Sequence, residues 1–201
     1  MCLQSASQNQ IPLQVTLLEH KNIIGATRTW VETVVVGLNL CPFAKRELSA
    51  NRVRFSVTQA ATEEQLLVEL HVELELLSQD ESIETSLLIH PEALQDFYDY
   101  NQFLDDVDGL LRETRLEGVF QIASFHPDYQ FGGTEPDDAA NYTNRSPYPL
   151  LHLIREASLE QAVANYPHAE RIPERNIALA NSMGAGKMKA LLNACSHDAG
   201  K

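Results

Sequence analysis

With 201 residues, 44% of them hydrophobic, and no Pro/Gly/Ser-rich linker, the chain is long enough for one substantial core and shows no division into two domains. Its formal net charge of -13 argues against nucleic acid and membrane surfaces as partners, because both attract clustered Lys and Arg. We therefore predict a loosely held leader over 1–14 and a single globular domain over 15–201.

The first half of the chain predicts helices and strands in alternation. Apolar residues recur at helical spacing over 27–40, and they alternate with polar residues over 52–58 as in a half-buried strand. Thr62, followed three residues later by Gln65, indicates a capping box at the start of a helix. A leucine stripe then favours a helix over a strand, at Leu66, Leu70, Leu74 and Leu77. A short strand over 86–89 follows.

The second half continues the alternation. Aromatic residues and leucines recur at helical spacing over 96–115, Gly118 ends this helix, and a strand over 119–125 follows. A long polar stretch separates this strand from the remaining elements. These are a strand over 150–155 and helices over 159–166, 173–183 and 187–194.

This order of elements predicts the fold class. Strands that alternate with helices indicate an α/β chain of the α+β type, with a sheet of about four strands and helices packed against it. Our first expectation is a two-layer sandwich with a ferredoxin-like arrangement, and our second is a three-layer arrangement.

The polar stretch over 126–149 is the strongest candidate for a functional site. Long connections inside a compact domain are usually functional or disordered, and the aromatic residues and prolines of this one argue against disorder. It also begins directly at the end of a strand, where a sheet can hold side chains rigidly. The alternative is an ordered loop that only closes the sheet.

The side chains in and after this stretch suit a small anionic molecule. Arginine guanidinium groups bind carboxylate or phosphate, and His126 can move a proton near neutral pH. We predict His126 as a catalytic acid or base, although it could equally bond a carbonyl as a structural residue. His152 lies on the alternating face of a strand, and we interpret it as structural. The predicted substrate-binding residues are Arg145, Arg155, Asn141, Asn144 and Tyr148.

A metal site is a weaker interpretation of the same stretch. Asp128, Asp137 and Asp138 offer oxygen ligands beside the nitrogen of His126, but their spacing matches no specific metal-binding motif. The aspartates are equally suited to turns and helix caps. We therefore predict no cofactor and keep a divalent metal as the alternative.

Cys41 carries a second signal. Pro42 suits the first turn of a helix, which would place Cys41 at the N-cap with cationic side chains one turn on. A helix N-terminus favours the thiolate, and a nearby His126 would complete an activated nucleophile. The alternative is a thiol that only packs in the core.

The cysteines and the apolar runs also bear on the compartment. Three cysteines fit neither a disulfide framework nor paired zinc spacing, which suits a reducing environment. The apolar runs fall far short of the roughly 20 residues that span a bilayer, and no secretory signal pattern opens the chain. We therefore expect a cytoplasmic protein, and the sequence leaves its oligomeric state open.

Several blocks of residues resemble a known family. The blocks are 37–44 (GLNLCPFA), 123–127 (ASFHP), 141–149 (NYTNRSPYP) and 152–156 (HLIRE). They resemble a bacterial family known as domain of unknown function 1415, and the resemblance extends from about Thr27 to Leu192. It implies a bacterial single-domain protein and assigns no activity, cofactor or catalytic residue.

Three functional hypotheses follow from these observations. The first is an enzyme that acts on a small anionic metabolite, with His126 as acid or base and Cys41 as nucleophile. The second is a ligand-binding or regulatory domain without catalysis that uses the same polar stretch. The third is an interaction module that presents the acidic helix over 96–108 to a protein partner.

Overall fold

A computed structural model describes residues 13–197 of the chain. Of the expected leader, residues 1–12 lie outside the described residues, and Leu13 and Gln14 already belong to the first helix. That helix begins well before the predicted start at Thr27 and continues into a π-helical segment.

The elements alternate along the chain as the sequence predicts. The helices are α1 (Leu13–Trp30), α2 (Ala44–Ser49), α3 (Glu63–Gln79), α4 (Phe97–Glu113), α5 (Glu156–Ala164), α6 (Ile172–Met183) and α7 (Ala185–His197). The strands are β1 (Val53–Val57), β2 (Thr85–Ile89), β3 (Phe120–Phe125) and β4 (Leu150–Arg155). A π-helical segment spans Val31–Val36, and short 3-10 segments span Ala139–Thr143 and Ala169–Arg171.

The capping signals of the sequence are confirmed. The Thr62 hydroxyl accepts a hydrogen bond from the main-chain N–H of Gln65 at 3.3 Å, and the Gln65 side chain accepts one from the N–H of Ala61 at 2.9 Å. Asp96 caps α4 in the same way, because its carboxylate accepts the N–H groups of Tyr98 and Asp99. These bonds satisfy donors that the first helical turn leaves open.

The four strands form one mixed sheet in the order β1-β2-β4-β3. β1 and β2 are parallel, and β4 runs antiparallel to both of its neighbours, β2 and β3. The carboxyl ends of β1, β2 and β3 therefore share one edge of the sheet. The segment over 126–149, here called the β3–β4 connection, leaves β3 at this edge and returns to it as β4.

Helices cover both faces of the sheet. One core joins α3 and α4 to Leu88, Leu151 and Leu153, and a second core joins α1, the π-helical segment and α7 to Leu87 and Leu150. Successive side chains of a strand point to opposite faces, so these apolar runs need an apolar layer on each side.

The α+β class and the four-stranded sheet are confirmed, and the packing follows the three-layer expectation. The order β-α-β-α-β-β also differs from the β-α-β-β-α-β order of a ferredoxin-like arrangement. The three layers arise because β4 lies between β2 and β3 and has leucines on both of its faces, and helices on both sides of the sheet bury these leucines.

The turn after α4 generates a stability prediction. Arg115 has a left-handed backbone with φ of 60°, and its side chain is exposed, whereas Gly118 has φ of 77° three residues later. Left-handed geometry disfavours residues with a Cβ atom. We expect Arg115→Gly to raise the free energy of unfolding by about 0.5–1 kcal/mol, and Gly118→Ala to lower it by about 1 kcal/mol.

Urea unfolding of both variants checks this expectation. A loss of stability in Arg115→Gly would show that this residue does not adopt the left-handed conformation.

Candidate functional site

The structure does not gather the predicted catalytic and binding residues in one place. Cys41 lines a cavity of about 730 Å³ on one face of the sheet. Arg145 and Asp128 line a cleft of about 640 Å³ between the start of α4 and the β3–β4 connection. His126 lines neither space, and Arg155 lies at the opposite edge of the sheet.

His126 is fully buried, and both of its ring nitrogens are engaged. Its Nε2 lies 3.2 Å from the carbonyl oxygen of Leu94, and its Nδ1 accepts the N–H of Asp128 at 3.0 Å. This arrangement fits a neutral ring that carries its proton on Nε2. Burial lowers the pKa of His126, although the Leu94 carbonyl and the Asp128 carboxylate partly offset this effect. A proton-transfer role would require one of these bonds to break.

A cluster of aromatic rings surrounds His126 at the edge where the β3–β4 connection begins. The ring of Tyr100 stacks on His90 and lies tilted against His126, with centroid distances of 5.6 Å and 5.2 Å. The Tyr100 hydroxyl donates to the carbonyl of Leu150 at 2.8 Å and accepts the N–H of Phe125 at 3.1 Å. Tyr100 therefore ties α4 to the paired ends of β3 and β4.

Arg145 and Asn141 hold the β3–β4 connection together from within. The Arg145 guanidinium donates to the carbonyls of Tyr129 at 3.1 Å and Pro136 at 2.8 Å, and it lies over the ring of Tyr142. Asn141 is fully buried, and its side chain bonds the main chain of the connection, with the Phe131 N–H at 3.1 Å. Both side chains are thus used to fix the loop.

Asn144 and Tyr148 are also used inside the fold. The Asn144 amide donates to the Ser124 carbonyl at 3.3 Å, which attaches the connection to β3. Tyr148 packs against the second core, and its main-chain carbonyl accepts the Ser146 hydroxyl at 2.6 Å. The anion-binding role predicted for both residues stays a prediction.

The predicted aspartates do not converge on a metal site. The Asp138 carboxylate accepts the main-chain N–H of Glu135 at 2.9 Å as a turn former, and Asp137 is exposed. Within residues 13–197, no group of three His, Cys, Asp or Glu side chains could hold a metal ion.

Arg155 is the last residue of β4 and lies at the edge of the sheet opposite the β3–β4 connection. Its guanidinium donates to the carbonyls of Leu77, Asp80 and Ile83 at and beyond the end of α3, and it lies over the ring of Phe120. A cation suits this position because the last carbonyls of a helix carry partial negative charge. Binding an anion at Arg155 would require these bonds to be replaced.

The cavity that contains Cys41, here called the sheet-face cavity, lies between the sheet and α5. Its floor includes side chains of all four strands, among them Val53, Leu87 and Ile154, and Ala162 of α5 lines the opposite wall. Most of the lining surface is apolar. The neutral polar side chains of the lining include Thr85, His152, Ser158, Gln161 and Asn165. This composition is typical of a small-molecule site.

His152 and Thr85 form the polar pair on the floor of this cavity. Nε2 of His152 lies 2.7 Å from the Thr85 hydroxyl oxygen, and that hydroxyl also donates to the main-chain carbonyl of Leu153 at 2.5 Å. Burial lowers the pKa of His152 to about 4. The ring is therefore neutral at physiological pH.

Cys41 lies at the edge of the same cavity, two residues before the N-cap of α2. The predicted N-cap position for Cys41 was wrong, because α2 begins at Ala44 and Phe43 is its N-cap. Burial raises the pKa of the Cys41 thiol, and hydrogen bonds from the N–H groups of Phe43 and Ala44 only partly offset this effect. The thiol is consequently protonated at neutral pH.

The charged side chains at the rim of the cavity are paired with one another. Arg52 forms an ion pair with Glu84 and lies 3.4 Å from the Glu47 carboxylate, and Arg46 lies 3.5 Å from the same carboxylate. Two cations thus face two anions. The rim offers no excess positive charge for an anionic ligand.

The sequence singled out Cys41 but did not predict that Thr85 and His152 line the same cavity. His152 was interpreted as structural, and Thr85 was not considered. The available signal was a histidine inside the otherwise apolar run 150–154, since such a run predicts a strand that is buried on both faces. A histidine in that position needs a specific partner.

The chain matches a known protein family. A family model described as protein of unknown function (DUF1415) matches residues 22–190. No curated protein and no solved structure matches the chain. The family match spans the whole sheet, the β3–β4 connection and the sheet-face cavity, and it confirms the resemblance drawn from the sequence blocks.

The contacts of Arg145 predict a loss of stability when it is removed. Arg145→Ala leaves two loop carbonyls without their donor, so we expect the free energy of unfolding to fall by about 1–3 kcal/mol. Arg46→Ala is the matched control, because the Arg46 side chain is 86% exposed and its loss should change stability by less than about 0.5 kcal/mol.

Thermal and urea unfolding with and without inorganic phosphate measure both effects. An Arg145→Ala protein that keeps its stability but loses stabilisation by phosphate would indicate an anion site instead.

The burial of Cys41 predicts a slow thiol. We expect the alkylation rate of Cys41 by iodoacetamide to rise with pH. The midpoint of this rise should lie at a higher pH than the midpoint for a free cysteine, whose pKa is about 8.5. Peptide mass spectrometry at each pH identifies Cys41 without replacing the other cysteines, and N-acetylcysteine is the reference. A midpoint below pH 8 that disappears in His126→Ala or His152→Ala would instead support a Cys41 nucleophile activated by a histidine.

Proposed function

The chain belongs to the DUF1415 family, and from the geometry of the sheet-face cavity we propose that it binds a small, largely apolar molecule there. This is the ligand-binding alternative among the functions expected from the sequence, moved from the β3–β4 connection to the face of the sheet. The observation that carries it is a half-enclosed apolar cavity with one neutral polar pair, His152 and Thr85, on its floor.

The size and lining of the cavity support this proposal. Its volume of about 730 Å³ lies within the range of roughly 300–1,000 Å³ typical of ligand pockets. Val53, Leu87 and Ile154 offer apolar surface to the ligand, and burial of apolar surface contributes about 25 cal/mol per Å². Burial of this apolar surface therefore contributes affinity for a largely apolar ligand.

The enzyme hypothesis has one observation in its favour, since Cys41 and His152 line the same cavity. A thiol nucleophile must react as thiolate, and a general base needs a pKa near the working pH. Burial moves the pKa of Cys41 upward and the pKa of His152 downward, away from both requirements. Binding without catalysis through Cys41 is therefore the better-supported function.

The β3–β4 connection supports an anion site less well. Arg145 is bound to main-chain carbonyls, and the adjoining cleft also contains the carboxylates of Asp96 and Asp128. An anion in this cleft would lie near the two carboxylates, and the guanidinium of Arg145 is already bound to main-chain carbonyls. Binding of an anionic metabolite by Arg145 or Arg155 stays a prediction, and the phosphate experiment tests it for Arg145.

The compartment is part of the proposal. We infer a reducing environment such as the cytoplasm, because Cys41 is a free thiol. Within the described residues, no helix has the length and hydropathy that crossing a bilayer would require.

Filling the sheet-face cavity should prevent binding. Ala162 lies on α5 and lines the cavity, whereas Ala164 lies on the same helix, is exposed and does not line it. We expect Ala162→Phe to weaken binding of indole, a small neutral aromatic compound, by about tenfold, because the new ring occupies the site. Ala164→Phe is the matched control and should bind indole as the unmodified protein does.

Methyl-detected NMR titration measures both affinity and location. We expect indole to shift the methyl resonances of Val53, Leu87 and Ile154. Shifts confined to other parts of the protein, or equal affinities of the two variants, would contradict the proposed site.

A further inference from the structure

The orientation of the hydrogen bonds around His152 limits the chemistry of the ligand. The Thr85 hydroxyl has a single proton, and it donates that proton to the main-chain carbonyl of Leu153 at 2.5 Å. The contact of 2.7 Å between the same oxygen and Nε2 of His152 is then favourable only if the ring donates. The proton of the neutral ring therefore lies on Nε2.

The other ring nitrogen is left as an acceptor. In the neutral form of histidine, one nitrogen donates and the other accepts, so Nδ1 of His152 presents a lone pair. No described residue donates a hydrogen bond to Nδ1, and this atom is not sealed from solvent. Because His152 lines the sheet-face cavity, this cavity is the space that Nδ1 can face.

The surroundings of this acceptor disfavour anionic ligands. Nδ1 presents its lone pair to the cavity, and a carboxylate there would bring further lone pairs against it. The guanidinium groups of Arg46 and Arg52 at the rim face the carboxylates of Glu47 and Glu84. The Cys41 thiol adds no charge, because burial raises its pKa.

We propose that the sheet-face cavity selects neutral molecules that direct a hydrogen-bond donor, such as an N–H or O–H group, at Nδ1 of His152. This inference rests on the proposed function of the cavity and adds the class of ligand. A donor completes the hydrogen bonding of a half-buried acceptor, whereas a ligand without one leaves Nδ1 unpaired in an apolar space. Thr85 acts as a positioning residue, because its bond to Leu153 fixes which nitrogen of the ring accepts.

Two isosteric compounds separate the donor from the apolar contacts. Indole carries an N–H donor, and benzofuran has nearly the same shape with an oxygen in that place. We expect indole to bind about tenfold more tightly than benzofuran, and indole-2-carboxylate to bind more weakly than indole. Methyl-detected NMR titration of the full chain gives the three affinities.

Variants of Thr85 test the positioning step. Thr85→Val removes the hydroxyl at nearly constant volume, so the ring no longer has a fixed acceptor for Nε2–H. We expect the preference for indole over benzofuran to fall to about twofold or less. Thr85→Ser is the matched control, because it keeps the hydroxyl and should keep the preference.

A measurement without any ligand examines the ring directly. Long-range ¹H–¹⁵N NMR distinguishes the two tautomers, and we expect Nε2 of His152 to be protonated and Nδ1 to be bare in the unmodified protein. A proton on Nδ1, or equal affinities for indole and benzofuran within the cavity, would overturn the inference while the proposed binding function stands. Absence of binding by both compounds would overturn both.

Discussion

The rest of the structure depends on the insertion of β4 between β2 and β3. Helices cover both faces of this central strand, so its three leucines are buried and its His152 and Arg155 side chains are partly buried. An unpaired polar group in such a place costs about 1–3 kcal/mol. The polar residues of β4 accordingly have internal partners: His152 has the Thr85 hydroxyl, and Arg155 has carbonyls at the end of α3. The same rule applies on β2, where the Ser86 hydroxyl donates to the buried carboxylate of Glu73.

The same insertion explains why the β3–β4 connection is long and polar. The chain leaves β3 at the edge where three strands end and must return there as β4, with its main-chain groups away from any regular sheet or helix. Asn141 and Arg145 supply the missing hydrogen bonds from within, and Tyr100 fixes the two strand ends. Side chains that resemble a binding site in the sequence are therefore used to hold the loop in place.

Local sequence patterns predict much of the secondary structure, whereas the candidate site depends on contacts between distant segments of the chain. The strand over 150–155, the cap at Thr62 and the leucine stripe of α3 depend on neighbours in sequence, and all three predictions are confirmed. The layer arrangement depends on which strands pair with β4, and no local sequence pattern predicts this pairing. His126 follows β3 directly, but its neighbours Leu94 and Tyr100 come from other segments. The sequence therefore left a carbonyl partner for His126 as an alternative but could not identify that partner.

Desolvation gives the sheet-face cavity its chemical character. It keeps the Cys41 thiol protonated and the His152 ring neutral, because it disfavours the charged form of each group. The charged residues that remain lie at the rim and neutralise one another, as the ion pair of Arg52 with Glu84 illustrates. Recognition in such a space depends on shape and on hydrogen bonds between neutral groups. A bound molecule that lacks a matching donor leaves an acceptor unpaired, and this penalty discriminates among ligands more sharply than apolar contact does.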